Sequence, residues 1–252
     1  MKKILQFQRL LMSHEIKEGA LFISDAHDNE SRHGFRDFLI ELSERETLPP
    51  QLFLMGDMFE LLVGQITYTK NLFNETIELI NSLSQNIEIF YFEGNHDFDL
   101  QTIFPNVKVF PIQAQPTLFH FKNKKILLAH GDLHQGRGYA LYTSVVRNRI
   151  MLILLNFIDN LFQNSIAKKI ISLHIGKDIC YKIKDFNQII KQKIQKYDIG
   201  LTEIDFVCEG HHHQNEEFVF NSLKYKNFSS FACDGSYFKI AFKDEIEFIK
   251  FS

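Results

Sequence analysis

Gln51-Leu52-Phe53-Leu54-Met55-Gly56-Asp57 is an apolar run that stops at a glycine and then presents a carboxylate. A short apolar run closed by a turn residue reads as a strand buried on both faces. Gly56 permits the sharp turn that carries Asp57 out of that strand. The arrangement recurs on both sides. Upstream, Ala20-Leu21-Phe22-Ile23 leads to Asp25 and His27, and downstream Ile87 to Phe92 ends at Gly94-Asn95-His96-Asp97. Further on, Lys125 to Ala129 delivers His130-Gly131-Asp132, and Phe206-Val207-Cys208 delivers Gly210-His211-His212-His213.

Helical spacing fills the gaps between the first strands. Phe35, Phe38, Leu39 and Leu42 share one face of a helix over Gly34 to Glu46, Pro49-Pro50 ends that unit, and Tyr68 to Leu83 reads as a second helix. Strand–helix alternation predicts a layered α/β fold whose early strands are parallel. Ligand sites in such sheets lie beyond the carboxyl ends of strands, which is where the polar clusters fall. Short strands are expected at 108–110, 117–121 and 125–129, and an antiparallel meander over Glu217 to Phe251.

At 252 residues, with 45% hydrophobic content and 26 Phe, the chain suits one large α/β domain over residues 1–252. The net charge of −3 offers no global attraction to nucleic acid. Between Arg137 and Lys196, however, there are eleven basic and three acidic residues, against 17 and 28 in the remainder. That basic stretch interrupts the sheet pattern and is read as a helical insertion over about 137–198. Its apolar core is Ile150 to Leu155 with Phe157, Ile158, Leu161 and Phe162, and Arg147, Arg149, Lys168, Lys169 and Lys177 flank it. Its tail from Lys182 to Lys196 is expected to be a solvated face. Tyr181, Phe186 and Tyr197 are too sparse there for a base-stacking platform.

Cys180, Cys208 and Cys233 are odd in number and widely spaced, so they are expected as small buried thiols of a reducing compartment. Lys2, Lys3, Gln6, Gln8 and Arg9 leave no room for a secretory signal, and no run approaches the ~18 apolar residues of a membrane span. The expectation is a cytosolic protein.

Asp25, His27, Asp57, Asn95, His130, His211 and His213 together offer two carboxylates, an amide and four imidazoles, enough to hold two adjacent divalent ions. In the simplest wiring Asp57 bridges the pair. Asp25, His27 and His213 complete one ion; Asn95, His130 and His211 complete the other. Such a centre lowers the pKa of a water held between its ions and neutralises phosphoryl charge, so it is a device for hydrolysing phosphate esters.

The ordered set Asp25-x-His27, Gly56-Asp57, Gly94-Asn95-His96-Asp97, His130-Gly131 and Gly210-His211-x-His213 resembles the calcineurin-like metallophosphoesterase superfamily, from about Ala20 to the C-terminus. The resemblance implies a β-sandwich flanked by helices, manganese (or iron or zinc) at the site, and ligand roles on the seven residues above. Within the superfamily the chain is most similar to the UDP-2,3-diacylglucosamine pyrophosphatase family of lipid A biosynthesis. Gly56-Asp57-Met58-Phe59-Glu60, Asn95-x-Asp97-Phe98, and His130-Gly131-Asp132 followed by the insertion carry that match. It implies attack on the α-phosphorus of a UDP-sugar lipid, giving UMP and 2,3-diacylglucosamine 1-phosphate. It also implies that the insertion is a lid over the acyl chains, on a protein lying peripherally on the anionic inner face of the inner membrane. Asp57, Asn95 and His96 would be catalytic; His96, Asp132, Tyr139, Arg147 and Arg149 would contact substrate.

That family commonly has Arg where this chain has His96, the residue of the wider superfamily. The departure leaves the reaction class untouched but favours an alternative, a general phosphoesterase acting on nucleotides, phosphoproteins or nucleic acid ends. A non-catalytic metal-bound scaffold is a further alternative, against which the presence of all seven ligands argues.

Overall fold

A computed structural model describes residues 14–133, 138, 143, 145–197 and 203–252. Two six-stranded sheets lie face to face. The first has the order β14-β13-β2-β3-β5-β7: Ile246–Phe251, Tyr237–Phe242, Leu21–Ile23, Gln51–Leu54, Glu88–Phe92 and Lys108–Phe110. The second has the order β1-β8-β9-β10-β12-β11: His14–Glu15, Thr117–Phe121, Lys124–Ala129, Phe206–Glu209, Leu223–Asn227 and Glu217–Phe220. As expected, β2, β3, β5 and β7 pair in parallel.

The apolar runs lack polar alternation because both faces of each sheet are covered. Phe53 and Met55 of the second strand's run point between the sheets with Phe22, Phe90, Phe119 and Leu128, whereas Leu52 and Leu54 point outward against helices α1 (Gly34–Ser43) and α3 (Asn74–Leu83). Phe22, Phe53 and Phe90 form a stacked rank across three neighbouring strands, with ring centroids 4.4 and 4.7 Å apart. Aromatic pairs of this kind add about 0.5–1.5 kcal/mol each beyond burial. On the far side, Leu127, Val207 and Tyr225 pack on Phe186, Ile190 and Ile194 of α6 (Phe186–Ile194). The layered α/β reading, with its sandwich flanked by helices, is borne out.

Three expectations are revised. The helix expected over 68–83 is two, α2 (Thr67–Leu72) and α3, because Phe73 leaves helical geometry and buries its ring 5.1 Å from that of Phe59. The C-terminal meander is two hairpins in different sheets, β11–β12 and β13–β14, joined by the short helix α7 (Phe231–Asp234). Cys180 and Cys233 are not buried thiols: both are exposed and joined in a disulfide, while Cys208 is free and buried. A short ribbon, β4 (Leu62–Val63) with β6 (Asp97–Phe98), was not anticipated.

Between β9 and β10 the described residues form α4 (Arg149–Leu161), α5 (Ser165–Ile175) and α6. Asn148 caps α4 by accepting from the backbone of Ile150 and Met151. Helix α4 divides its apolar side chains between two faces. Leu152 is buried and Leu155 half-buried beside Val63, Ile66 and Phe98, whereas Ile150, Ile153, Leu154, Phe157 and Leu161 are exposed. Among the described residues no single helix is long and apolar enough to cross a membrane; α4 and α5 pass that test only together, bent by 99°. The tail is not wholly a solvated face, since Lys193 of α6 is buried.

Candidate metal centre

The turns after β2, β3, β5, β9 and β10 meet at one edge of the sandwich. Asp25, His27, Asp57, His211 and His213 all hold a positive φ, between 44° and 62°. For residues other than glycine this left-handed geometry costs of order 1 kcal/mol or more each, and it concentrates at functional sites. Two glycines make the convergence possible. Gly56 has φ +91°, and a Cβ there would strike the His130 ring; a Cβ on Gly94 would strike Asp57.

Two groups of side chains could each hold a cation: Asp25, His27 and His213, and Asp57, His130 and His211, with ligand atoms within 4.8 Å of one another in each. His130 Nε2 stands 3.3 Å from Asp57 Oδ2, and His213 Nε2 3.1 Å from Asp25 Oδ1. Asp25 also accepts from the His211 N–H at 2.9 Å and from Ser24 Oγ. Asp57 Oδ1 accepts the His96 N–H at 2.8 Å, which fastens the Asn95-His96 turn to that carboxylate.

Carbonyl groups orient the rings. Met55 O accepts from His130 Nδ1 at 2.9 Å, and Ile179 O from His213 Nδ1 at 2.6 Å. Each bond leaves the Nε2 lone pair facing the centre, the usual way a ligand histidine is held. His96 is set likewise, with Nδ1 2.7 Å from Glu60 O.

Beneath these groups lies Asp97. Its carboxylate accepts from the backbone N–H of Asp57, Met58 and Gly94 and from Tyr91 OH. It is the bracket that shapes both turns.

The donor set fits divalent ions on an observation independent of wiring. Among the described residues, both ring nitrogens of His27 and Oδ1 of Asn95 are buried with no hydrogen-bond partner. Orphaned polar atoms cost about 1–3 kcal/mol each unless a ligand satisfies them. Burial pushes His27 down to about 3, so its imidazole is neutral and ready to coordinate. His130 and His213 behave differently. Burial would lower both, yet the charge of Asp57 raises His130 well above the ordinary value and that of Asp25 raises His213.

Protons therefore compete with metal for those two rings. As pH falls through their raised pKa values the metal-free rings hold protons more fully, so manganese affinity declines by about tenfold per pH unit for each such ring. Competition against a chelating indicator at pH 6 and pH 8 checks this. Equal affinity at both pH values would contradict the assignment.

Several side chains fall outside the expected roles. Asp132 and Arg147, read as substrate contacts, are buried (0% and 8% side-chain exposure), and Arg147 Nη2 lies 3.7 Å from Asp132. Arg147 also donates to Gly94 O at 2.6 Å and covers the Phe98 ring. This pair sits under the Asn95 turn. Arg149 is exposed on the first turn of α4. Tyr139 lies outside the described residues.

Glu60 and His174 were not assigned from sequence. Glu60 forms a third group with His27 and His96, a role its place three residues after Asp57 hinted at. His174, in the last turn of α5, brings its ring to 4.6 Å from that of His96, and nothing in the sequence marked it.

The sequence profile of the calcineurin-like phosphoesterases matches residues 20–215. The chain belongs to the calcineurin-like phosphoesterase family. That membership bears out the hydrolase reading and implies divalent metals, for which the site offers candidate residue groups. A curated relative of this phosphoesterase from Stutzerimonas stutzeri, named UDP-2,3-diacylglucosamine hydrolase, is 30% identical over 155 residues, covering 60% of this chain and 64% of the relative. The same name is carried by a Psychromonas ingrahamii protein, 24% identical over 201 residues that cover 77% of this chain and 80% of that one. The chain thus spans just under two thirds of the first relative's length and more of the second's. Among solved structures, a Thermotoga maritima protein determined by solution NMR aligns with a TM-score of 0.45 at 16% identity, covering 94% of this phosphoesterase and 99% of that chain.

Proposed function

We propose that this chain hydrolyses UDP-2,3-diacylglucosamine to UMP and 2,3-diacylglucosamine 1-phosphate, as one phosphoesterase domain whose insertion, about 137–198, serves as a lid. The observation that carries the substrate reading is the exposed apolar face of α4. Ile150, Ile153, Leu154, Phe157 and Leu161 stand in solvent at helical spacing, on an element whose other face packs against the β4–β6 ribbon beside the Asn95 turn. Exposed apolar surface of this kind suits acyl chains, whose burial contributes about 0.8 kcal/mol per methylene. The names of the curated relatives point the same way.

Two manganese ions, when bound, would supply a nucleophile from water at neutral pH and neutralise charge on the phosphoryl oxygens. The chain's own residues do the rest. Asp25, His27 and His213 would hold one ion and Asn95, His130 and His211 the other, with Asp57 between them. The Asp97 bracket and the Arg147–Asp132 pair keep the Asn95-His96 turn beside Asp57. His96, oriented by Glu60 O, faces the reacting phosphate as a hydrogen-bonding partner. Exposed Arg149, Lys168 and Lys169 give the lid a cationic rim for anionic headgroups at the inner face of the inner membrane.

Release of UMP from UDP-2,3-diacylglucosamine by the manganese-loaded protein tests the reading. Good turnover of nitrophenyl esters with the lipid spared would overturn it. A variant sharpens the test. Leu152→Ser is unsuitable, because Leu152 is only 2% exposed and its loss opens the core. Phe157→Ser combined with Leu161→Ser touches only the exposed face. It should raise KM for the lipid substrate at least about tenfold and leave nitrophenyl ester turnover unchanged, given ~1.5–3 kcal/mol per large apolar side chain buried. Equal KM in both proteins would favour the second reading, a phosphoesterase for soluble substrates, which His96 in place of Arg supports.

A further inference from the structure

The exposed disulfide ties together two segments that each steady a different ligand of the first metal group. On one side, Cys180 lies in the connection between α5 and α6. The preceding residue, Ile179, provides the carbonyl that orients His213. Nearby contacts of this connection run to one neighbour: Ile183 N–H and Lys182 Nζ donate to Gln214, whose side chain donates to Tyr181 O. On the other side, Cys233 lies in the four-residue helix α7, which is fastened to the Asp25 turn. Ala232 N–H and Ser230 Oγ donate to Asp25 O, and Phe231 N–H to Ser24 O. Asp25 and His213 are themselves 3.1 Å apart. The sulfur bridge, between Cα atoms 5.8 Å apart, closes a loop around that pair.

We propose that Cys180 and Cys233 form a reversible thiol–disulfide site, which in its oxidised form clamps the insertion onto the Asp25–His213 ligand pair and in its reduced form releases it. Both sulfurs belong to exposed residues, so small thiols and disulfides reach them, unlike the buried Cys208. In oxidation, the thiolate of one cysteine attacks a sulfur of a glutathione-type disulfide and expels one thiolate. The second cysteine thiolate then attacks the protein sulfur of the mixed disulfide and expels the other. Two protein thiols and one small disulfide become one protein disulfide and two small thiols, with two electrons passing to the small molecule. Excess small thiol runs the sequence backwards.

The effect on metal rests on the reading that Asp25 and His213 hold an ion, so the test separates the clamp from that reading. Full-length protein is equilibrated with oxidised glutathione or with dithiothreitol, then alkylated under denaturing conditions and weighed. One alkylated cysteine (Cys208) is expected after oxidation and three after reduction; three in both would overturn the proposal. Hydrogen exchange at amides 179–183 should quicken on reduction, without reference to metal. The dissociation constant for manganese should rise about tenfold, the scale on which loss of a group orienting a ligand acts. Cys180→Ser with Cys233→Ser should resemble the reduced protein under both conditions. A bridge that forms yet leaves exchange and manganese affinity unchanged would also overturn the proposal. Altered exchange in a protein that binds no manganese at all would support the clamp and refute the metal reading instead.

Discussion

Replacing Asp57 by alanine is expected to lower kcat by about 10³-fold or more, with the fold intact. In the proposed wiring Asp57 serves both ligand groups; Oδ2 faces His130 Nε2 at 3.3 Å and Oδ1 holds the His96 N–H. Burial alone would raise its pKa, but the charges of His130 and His96 outweigh that and hold it well below the carboxylate range, so it is a full anion. A two-ion clamp stabilises transition-state charge by several kcal/mol. At about 1.4 kcal/mol per decade, losing ~4–5 kcal/mol gives the stated factor. Asp57→Asn is the control, since the amide oxygen can still accept from His96 N–H. It should be nearly as inactive as the alanine variant while its circular dichroism matches wild type. Either variant retaining more than a tenth of wild-type kcat would remove Asp57 from the centre.

The largest stability effect is expected at Lys193. Its ammonium donates to Glu209 at 2.7 Å and to Gly131 O, with side-chain exposures of 8% and 0% for the ion pair. Tyr225 OH donates to the same carboxylate at 2.9 Å, and Tyr197 OH also donates to it. Burial resists the charge on Glu209, but Lys193 wins and keeps its pKa below the ordinary value. Lys193→Met fills the space and removes the counter-charge, and a buried carboxylate left with only two phenols costs about 3–5 kcal/mol. A guanidinium midpoint measures this, and Lys193→Met with Glu209→Gln should regain most of the loss. Because Glu209 has a depressed pKa in the folded state, the pair's contribution is complete above the ordinary carboxylate pKa. It fades as pH falls through the depressed value. An unchanged midpoint for Lys193→Met would show that the network is not what holds α6 against β10.

This network also explains which features were readable from sequence. The strands were legible because burial on both faces leaves unbroken apolar runs, and the ligand positions because each run ends in a glycine or a polar residue typical of metal sites. Lys193 was not legible: its acidic partner is 16 residues away on a strand, and a lysine in a basic stretch reads as solvated. Helix α4 posed a different difficulty. Its polar Arg149, Asn156, Asp159 and Asn160 fall on one side, so helical periodicity would bury the opposite, apolar side, whereas the structure buries Leu152 and exposes Phe157. Only the ribbon of Leu62–Val63 with Asp97–Phe98, assembled from distant residues, decides which face is covered. Cys180 and Cys233, 53 residues apart on unrelated elements, carry no spacing signal for their pairing. Phe73 broke a helix for a tertiary reason, the chance to bury its ring against Phe59, and local propensity does not register such a gain.

Distant turns are proposed to build a cage for a pair of cations. Stripping the protein with chelator, titrating it with manganese and counting bound ions by elemental analysis tests it most directly. Two ions per chain are expected in wild type, with hydrolysis of phosphate esters returning as the second site fills. No stoichiometric binding, or a single ion with Asp57→Ala binding equally well, would contradict it.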